Sequence, residues 1–289
     1  MNDDAGIDPY LISGTNVLRN KVDAHTEQEL ADAENDLVNA RYSKLSSTPL
    51  TAEGTVSQLQ WIHHYLFQDV YEWAGRIRTI DMSKGGGSVF QPLQLFATGV
   101  QYAETTLRDD LMLQGLDRDQ FIERLAVNFD NFNTLHPFRE GNGRTQRVFW
   151  TLIARDAGWG LDWAQISKRE NDIASFVAHE NVDYHPLESM FDRIVHPLPP
   201  EQDRRLLPSI GLTSGSHDDT ETPNVYQALS DSEYERQRQR YSYQKKDGSE
   251  AQTKEGCQRL TPGTQSENQV SRNRTILARR FAAEAQRGR

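Results

Sequence analysis

Leu135-His136-Pro137-Phe138-Arg139-Glu140-Gly141-Asn142-Gly143-Arg144-Thr145-Gln146-Arg147 lies between two segments of helical periodicity: Phe121, Leu125, Phe129, Phe132 and Leu135 before it, and Val148, Phe149, Leu152 and Ile153 after it. Pro137 and the glycines predict a loop joining two helices. The amides of a Gly-X-Gly turn entering a helix are unpaired donors, and the helix dipole adds partial positive charge there, so an anion is expected. Gly141 and Gly143 are expected to allow positive φ and close approach of a ligand to the main chain. Arg144 and Arg147 follow on the first turn of the second helix, on one side, as forks for phosphate oxygens. Glu140 is a hard oxygen ligand beside them, suited to the Mg²⁺ that accompanies a nucleotide. His136 titrates near neutrality and can deprotonate an incoming hydroxyl. Taken singly, a histidine before proline is a helix cap, a Gly-Asn-Gly is a turn and spaced arginines are a solvated face; their coincidence points to phosphoryl chemistry.

Upstream, Arg76-Ile77-Arg78-Thr79-Ile80-Asp81-Met82-Ser83-Lys84-Gly85-Gly86-Gly87-Ser88-Val89-Phe90-Gln91-Pro92 carries β-branched residues before a triple glycine and Val-Phe after it, which predicts a β-hairpin. The 136–147 segment resembles the Fic family signature His-Pro-Phe-x-(Asp/Glu)-Gly-Asn-Gly-Arg-x-x-Arg at every fixed position. Similarity extends to Asp8-Pro9-Tyr10-Leu11, to Gly14-Thr15-Asn16-Val17-Leu18-Arg19-Asn20-Lys21, and to Leu66-Phe67-Gln68-Asp69-Val70-Tyr71-Glu72-Trp73-Ala74-Gly75-Arg76, covering residues 8 to 197.

The resemblance implies a protein adenylyltransferase that moves AMP from ATP to a protein hydroxyl and releases pyrophosphate. By the same resemblance His136 would be the general base, and Glu140 would hold Mg²⁺ on the α- and β-phosphates. Gly141, Asn142 and Gly143 would cradle the phosphates, Arg144 and Arg147 would neutralise the leaving group, and Phe138 would anchor the loop. A branch of the superfamily resembling the Doc toxins has lysine where Gly143 stands and phosphorylates instead, so the glycine favours AMP transfer. The hairpin would be the flap whose exposed edge pairs with an extended segment of the target. Thr79, Ile80, Asp81 and Lys84 are its candidate target-binding residues.

The remaining domain reads as helices. Thr26-x-x-Glu29 is a capping box opening a segment with Leu30, Leu37 and Ala40. Leu59, Ile62, Leu66, Val70 and Trp73 mark a second helix, and Phe96, Val100, Ala103, Leu107 and Leu111 a third; 169–181 and 186–195 are further helices. An all-α, Fic-type core with one hairpin flap is expected over residues 1–200. After His196-Pro197-Leu198-Pro199-Pro200 the apolar residues thin out, predicting a polar, largely disordered tail over 201–289, with a short basic helix near its end.

The single cysteine, Cys257, excludes an intrachain disulfide, and no apolar run reaches the length of a membrane span. The start lacks the basic residues of a signal peptide, so a cytoplasmic protein is expected. A net charge of −10 argues against general nucleic-acid binding. His63 and His64 are adjacent and point apart, and His179, His185 and His196 lack metalloprotease spacing, so these histidines read as core or surface residues.

Many members of the family carry an inhibitory helix, (Ser/Thr)-x-x-x-Glu-(Gly/Asn), whose glutamate pairs with the second arginine. Glu53-Gly54 and Glu255-Gly256 have Pro49 and Ala251 where the hydroxyl residue would stand. The chain thus resembles the bacterial toxins held by a separate small helical antitoxin, whose family targets are DNA gyrase B and topoisomerase IV. Rival expectations are a secreted effector of the same chemistry, exported through the basic tail end, and an idle module that binds a partner through the flap.

Overall fold

The computed structural model describes residues 8–84, 88–198 and 226–228. Among the described residues seven α-helices make up the body: α1 Glu27–Ser46, α2 Val56–Phe67, α3 Phe96–Asp109, α4 Arg118–Leu135, α5 Asn142–Ala157, α6 Lys168–Asn181 and α7 His185–Ile194. Their starts follow from side-chain caps. Thr26 accepts the N–H of Glu29 while Glu29 accepts that of Thr26, the reciprocal box expected for α1. Thr55, Asp117 and Ser167 cap α2, α4 and α6 with a side-chain oxygen that accepts the N–H of Gln58, Gln120 and Glu170.

The core is centred on α4 and α5. Phe129, Phe132, Phe149 and Trp150 interlock edge-on and tilted, and Trp163 and Phe191 close the cluster from the α7 side. Full burial of such side chains stabilises by roughly 1.5–3 kcal/mol each before the entropy cost. α2 packs on α5 and α1, α3 on α4, and α6 and α7 on each other and on α4. One hydrophobic cluster runs from Tyr10 to Val195.

Three elements differ from the sequence reading. The inward face of α1 is Leu30, Glu34, Val38, Tyr42 and Leu45, with Ala40 exposed; the stripe was hidden by the carboxylate in its middle. α2 stops at Phe67, so Val70 and Trp73 are buried from a turn rather than from the helix. α3 stops at Asp109, and Leu111 is exposed with positive φ of 53°.

The hairpin forms as β1 Met82–Lys84 and β2 Ser88–Val89, antiparallel, with Lys84 opposite Ser88. A ribbon absent from the sequence reading joins β3 Trp159–Leu161 to β4 Val195–Pro197 and ties the end of α5 to the end of α7. A further strand, β5 Tyr226–Ala228, pairs antiparallel with β1, giving the order β2-β1-β5. Apart from it, the tail expected over 201–289, with its basic helix, lies outside the described residues. Among the described residues no helix is long and apolar enough to cross a membrane.

Candidate active site

Pro137 bars the preceding residue from the helical region, so α4 must end before it. His136 caps the helix in the left-handed conformation, φ 42° and ψ 62°, a geometry that costs a non-glycine residue about 1–3 kcal/mol. Its surroundings hold it there. The Arg78 Nε donates to the His136 carbonyl at 2.9 Å, the Arg78 N–H donates to the Pro137 carbonyl at 2.8 Å, and the His136 ring stacks on Phe90 at 3.6 Å. Arg78 is itself buried and also donates to the Ile80 carbonyl and to Asp81. The base of the hairpin and the histidine are therefore one assembly.

Three of the expected flap residues, Thr79, Ile80 and Asp81, sit at that base. The Tyr10 hydroxyl accepts from the Thr79 N–H at 2.9 Å, and an Asp81 carboxylate oxygen accepts the Leu93 N–H at 2.8 Å. Ile80 is half-buried. Lys84 ends β1, its backbone paired on both sides with Ser88 and Tyr226. The edge of β1 away from β2, open in the sequence reading, is taken by β5.

The loop after His136 is closed from within. Asn142 Oδ1 accepts the Phe138 N–H at 3.0 Å and its Nδ2 donates to the Phe138 carbonyl at 2.7 Å, so its side chain serves the loop and its backbone N–H remains for a ligand. Arg139 is anchored by Asp8 at 2.8 Å. Gly141 has φ of 80°, and a Cβ there would meet the Phe67 ring at 2.4 Å, so glycine is required twice over. Gly143 does not share that conformation: a Cβ on it would meet nothing within 4 Å, which means open space before the helix start. The first bond inside α5 runs from the Thr145 N–H to the Gly141 carbonyl at 3.1 Å, and the amides of Asn142, Gly143 and Arg144 have no intrahelical acceptor.

The two arginines leave α5 toward different neighbours. Arg144 pairs with Glu34 of α1, lies 3.8 Å from Glu140, and covers the Phe67 ring at 4.8 Å. Arg147 lies over the Trp163 ring at 5.8 Å. Glu34 also accepts the Tyr71 hydroxyl. Burial and the negative charge of Glu34 push the Glu140 carboxyl above the ordinary carboxylate range, against Arg144, which favours its charged form. For Arg144, burial is outweighed by Glu34 and Glu140, which hold it charged.

This fits a cation at Glu140. A half-buried carboxylate crowded by a second one is relieved by positive charge. Among the described residues no group of three or more His, Cys, Asp or Glu could hold a metal alone, and Mg²⁺ at nucleotide sites typically takes one or two carboxylates and completes its shell with phosphates and water.

Residues that sequence reasoning left out complete the frame. Glu34 could have been found as a carboxylate four residues from both Leu30 and Val38 on a core stripe. Arg78 alternates among strand-like apolar residues, an arginine where a core residue belongs. His63 sits fully buried beneath the loop, its pKa pushed down to about 3 chiefly by burial; adjacency to His64 masked it.

Residues 53–154 match the model of the Fic/DOC family. The chain is similar to protein adenylyltransferase VbhT of Bartonella schoenbuchensis, 33% identical over 172 residues, covering 60% of this chain and 36% of that protein. It thus spans about a third of VbhT's length, though more of other relatives. To the probable protein adenylyltransferase Fic of Salmonella typhimurium it is 35% identical over 162 residues, 56% of this chain and 80% of that one. Among solved structures it resembles the VirB-translocated effector BepC of Bartonella tribocorum, crystallised with AMPPNP: TM-score 0.62, 27% identity, covering 66% of this chain and 97% of that one.

Proposed function

The chain belongs to the Fic/DOC family, and on that footing we propose that it transfers AMP from ATP to a hydroxyl side chain of a target protein, releasing pyrophosphate. The observation that carries this reading is the α4–α5 junction: a backbone-clamped histidine, one short loop, and an open helix start bearing two arginines.

Phosphate oxygens lie against the amides of Asn142, Gly143 and Arg144, with Gly141 providing the bend. The target hydroxyl gives its proton to His136 as its oxygen bonds to the α-phosphorus. The bond from that phosphorus to the bridging oxygen breaks, and pyrophosphate leaves with the electron pair, its charge met by Arg144 and Arg147. Glu140 would hold Mg²⁺, which when bound neutralises phosphate charge. Displacement at phosphorus asks a protein mainly for positioning and charge stabilisation, which is what these residues offer.

The target docks as an extended strand along the hairpin near Thr79, Ile80, Asp81 and Lys84. The protein acts in the cytoplasm as a toxin on DNA gyrase B or topoisomerase IV, restrained by a small helical antitoxin. What supports this last step is the sequence, in which Glu53 and Glu255 lack the hydroxyl residue four positions earlier. The likeness to VirB-translocated effectors favours a second reading, delivery into another cell. Incubation with α-labelled and γ-labelled ATP in bacterial lysate tests the chemistry and the target together: α-label on a protein of gyrase B size is expected. Transfer of γ-label would exclude AMP transfer.

A further inference from the structure

The His63 ring is fully buried beneath the loop, at the point where α2 meets the α4–α5 junction. Its Nδ1 lies 2.8 Å from the Gly75 backbone nitrogen, which can only donate, so Nδ1 is an acceptor and carries no hydrogen. The hydrogen is therefore on Nε2, which donates to the Glu140 carbonyl at 2.9 Å. The ring is gripped on its faces by Phe138, 3.9 Å between centroids, and by Phe67, 4.6 Å.

The carbonyl of Glu140 and the N–H of Gly141 are two ends of one planar peptide unit. His63 holds the first end. The second donates to the Glu140 carboxylate at 2.9 Å. Gly141, at φ 80°, is a residue around which that unit could rotate at small cost; turned over, it would aim a carbonyl oxygen at the carboxylate in place of a donor. Asn142 and Asp8 fix Phe138 and Arg139, the residues before this unit.

We propose that His63 is a positioning residue for Glu140: its Nε2–H locks the Glu140–Gly141 peptide so that the carboxylate is presented in the one direction that meets a nucleotide-bound divalent cation. The inference rests on the reading of Glu140 as the Mg²⁺ ligand. It gives a buried histidine remote from the reacting atoms a specific effect on metal use.

Outer partners of metal ligands change metal affinity by about 10–100-fold when removed. His63→Phe keeps the stacked ring and removes both hydrogen bonds. Calorimetric titration of Mg²⁺ into protein saturated with ATP should show its midpoint raised within that range, with ATP binding in the absence of Mg²⁺ unchanged. His63→Gln, whose amide offers an acceptor and a donor at nearly the ring-nitrogen spacing, should recover most of the difference. With Glu140→Gln as background, His63→Phe should add little. An unchanged Mg²⁺ midpoint, or equal and additive losses in both backgrounds, would overturn the proposal while wild-type AMP transfer stands. Wild-type protein whose ATP binding ignores Mg²⁺ would instead sink the metal reading itself. Should His63→Phe not fold, ¹⁵N spectra of the wild-type imidazole decide: Nδ1 as bare acceptor and Nε2 protonated is expected, and the opposite tautomer refutes the lock.

Discussion

His136 is held through its backbone carbonyl by Arg78, so shortening its side chain gives up the stack on Phe90 but leaves the loop in place. His136→Ala is accordingly expected to bind ATP as wild type does and to lose about 10²–10⁴-fold in transfer; equal rates would remove His136 from the mechanism. Gly141 is the opposite case. Alanine there meets the Phe67 ring and a φ of 80°, and overpacking with a strained backbone predicts a loss of about 1–3 kcal/mol in urea unfolding together with weakened ATP binding. His63 yields a prediction in pH. Its folded pKa of about 3 lies below the ordinary imidazole value of 6.5, so between those values the unfolded chain binds a proton that the native one refuses. Stability from this group is complete above pH 6.5 and is lost as pH falls, by about 1.4 kcal/mol per unit. Going from pH 7 to pH 5, wild type should lose about 2 kcal/mol more than His63→Gln in denaturant titrations. Parallel curves would mean that the ring is solvated.

At the scale of elements, the sequence was most legible where local chemistry and burial agree. Thr26 and Glu29 announce α1, and the aromatic periodicity of α4 and α5 survives intact because those helices bury apolar residues on nearly every side. The 136–147 loop was legible because proline and glycine punctuate it. What could not be read depends on partners far along the chain: Glu34 reaching Arg144, Arg78 crossing to His136, and His63 lying under Glu140. A charged or titratable residue on an inward stripe looks like a break in the pattern until its partner is known. Edge pairing is equally invisible locally, and it shows in β5, which covers the β1 edge expected to be free. That pairing carries a prediction. Ending the chain after about residue 205 removes β5 but none of the cluster from Tyr10 to Val195, so the melting temperature should hold. Transfer to a target that docks by strand addition should rise, since the backbone donors and acceptors of β1 are released. A sharp fall in melting temperature would place part of the core beyond residue 205, and unchanged kcat/KM would mean that targets do not use that edge.

Across the whole molecule, the open question of control reduces to which carboxylates reach the arginines of α5. Glu34-Asn35 ends like the family's inhibitory pattern, with Leu30 four residues before Glu34 in place of serine or threonine. The geometry assigns it differently: Glu34 pairs with Arg144, the first arginine, and also accepts the Tyr71 hydroxyl, so it stands as a buried brace between α1 and α5. Removing such a brace leaves the buried Arg144 with Glu140, 3.8 Å away, in place of its closest carboxylate, and the weaker compensation is costly. Glu34→Ala should therefore lower stability and transfer together. An intramolecular brake at that position would behave in the reverse manner, with transfer rising as the carboxylate is lost. If Glu34→Ala lowers activity, Glu34 is no brake, and inhibition requires another carboxylate, from this chain or from a partner, that reaches Arg147 and competes with the γ-phosphate for a bidentate fork. The isolated chain is then expected to modify its target unaided. A small helical protein carrying Ser/Thr-x-x-x-Glu should silence it, and changing that glutamate to glycine should restore α-label transfer while the two proteins still co-purify. An isolated chain that becomes active only on Glu34→Ala would transfer the inhibitory role to α1 and make the external partner unnecessary.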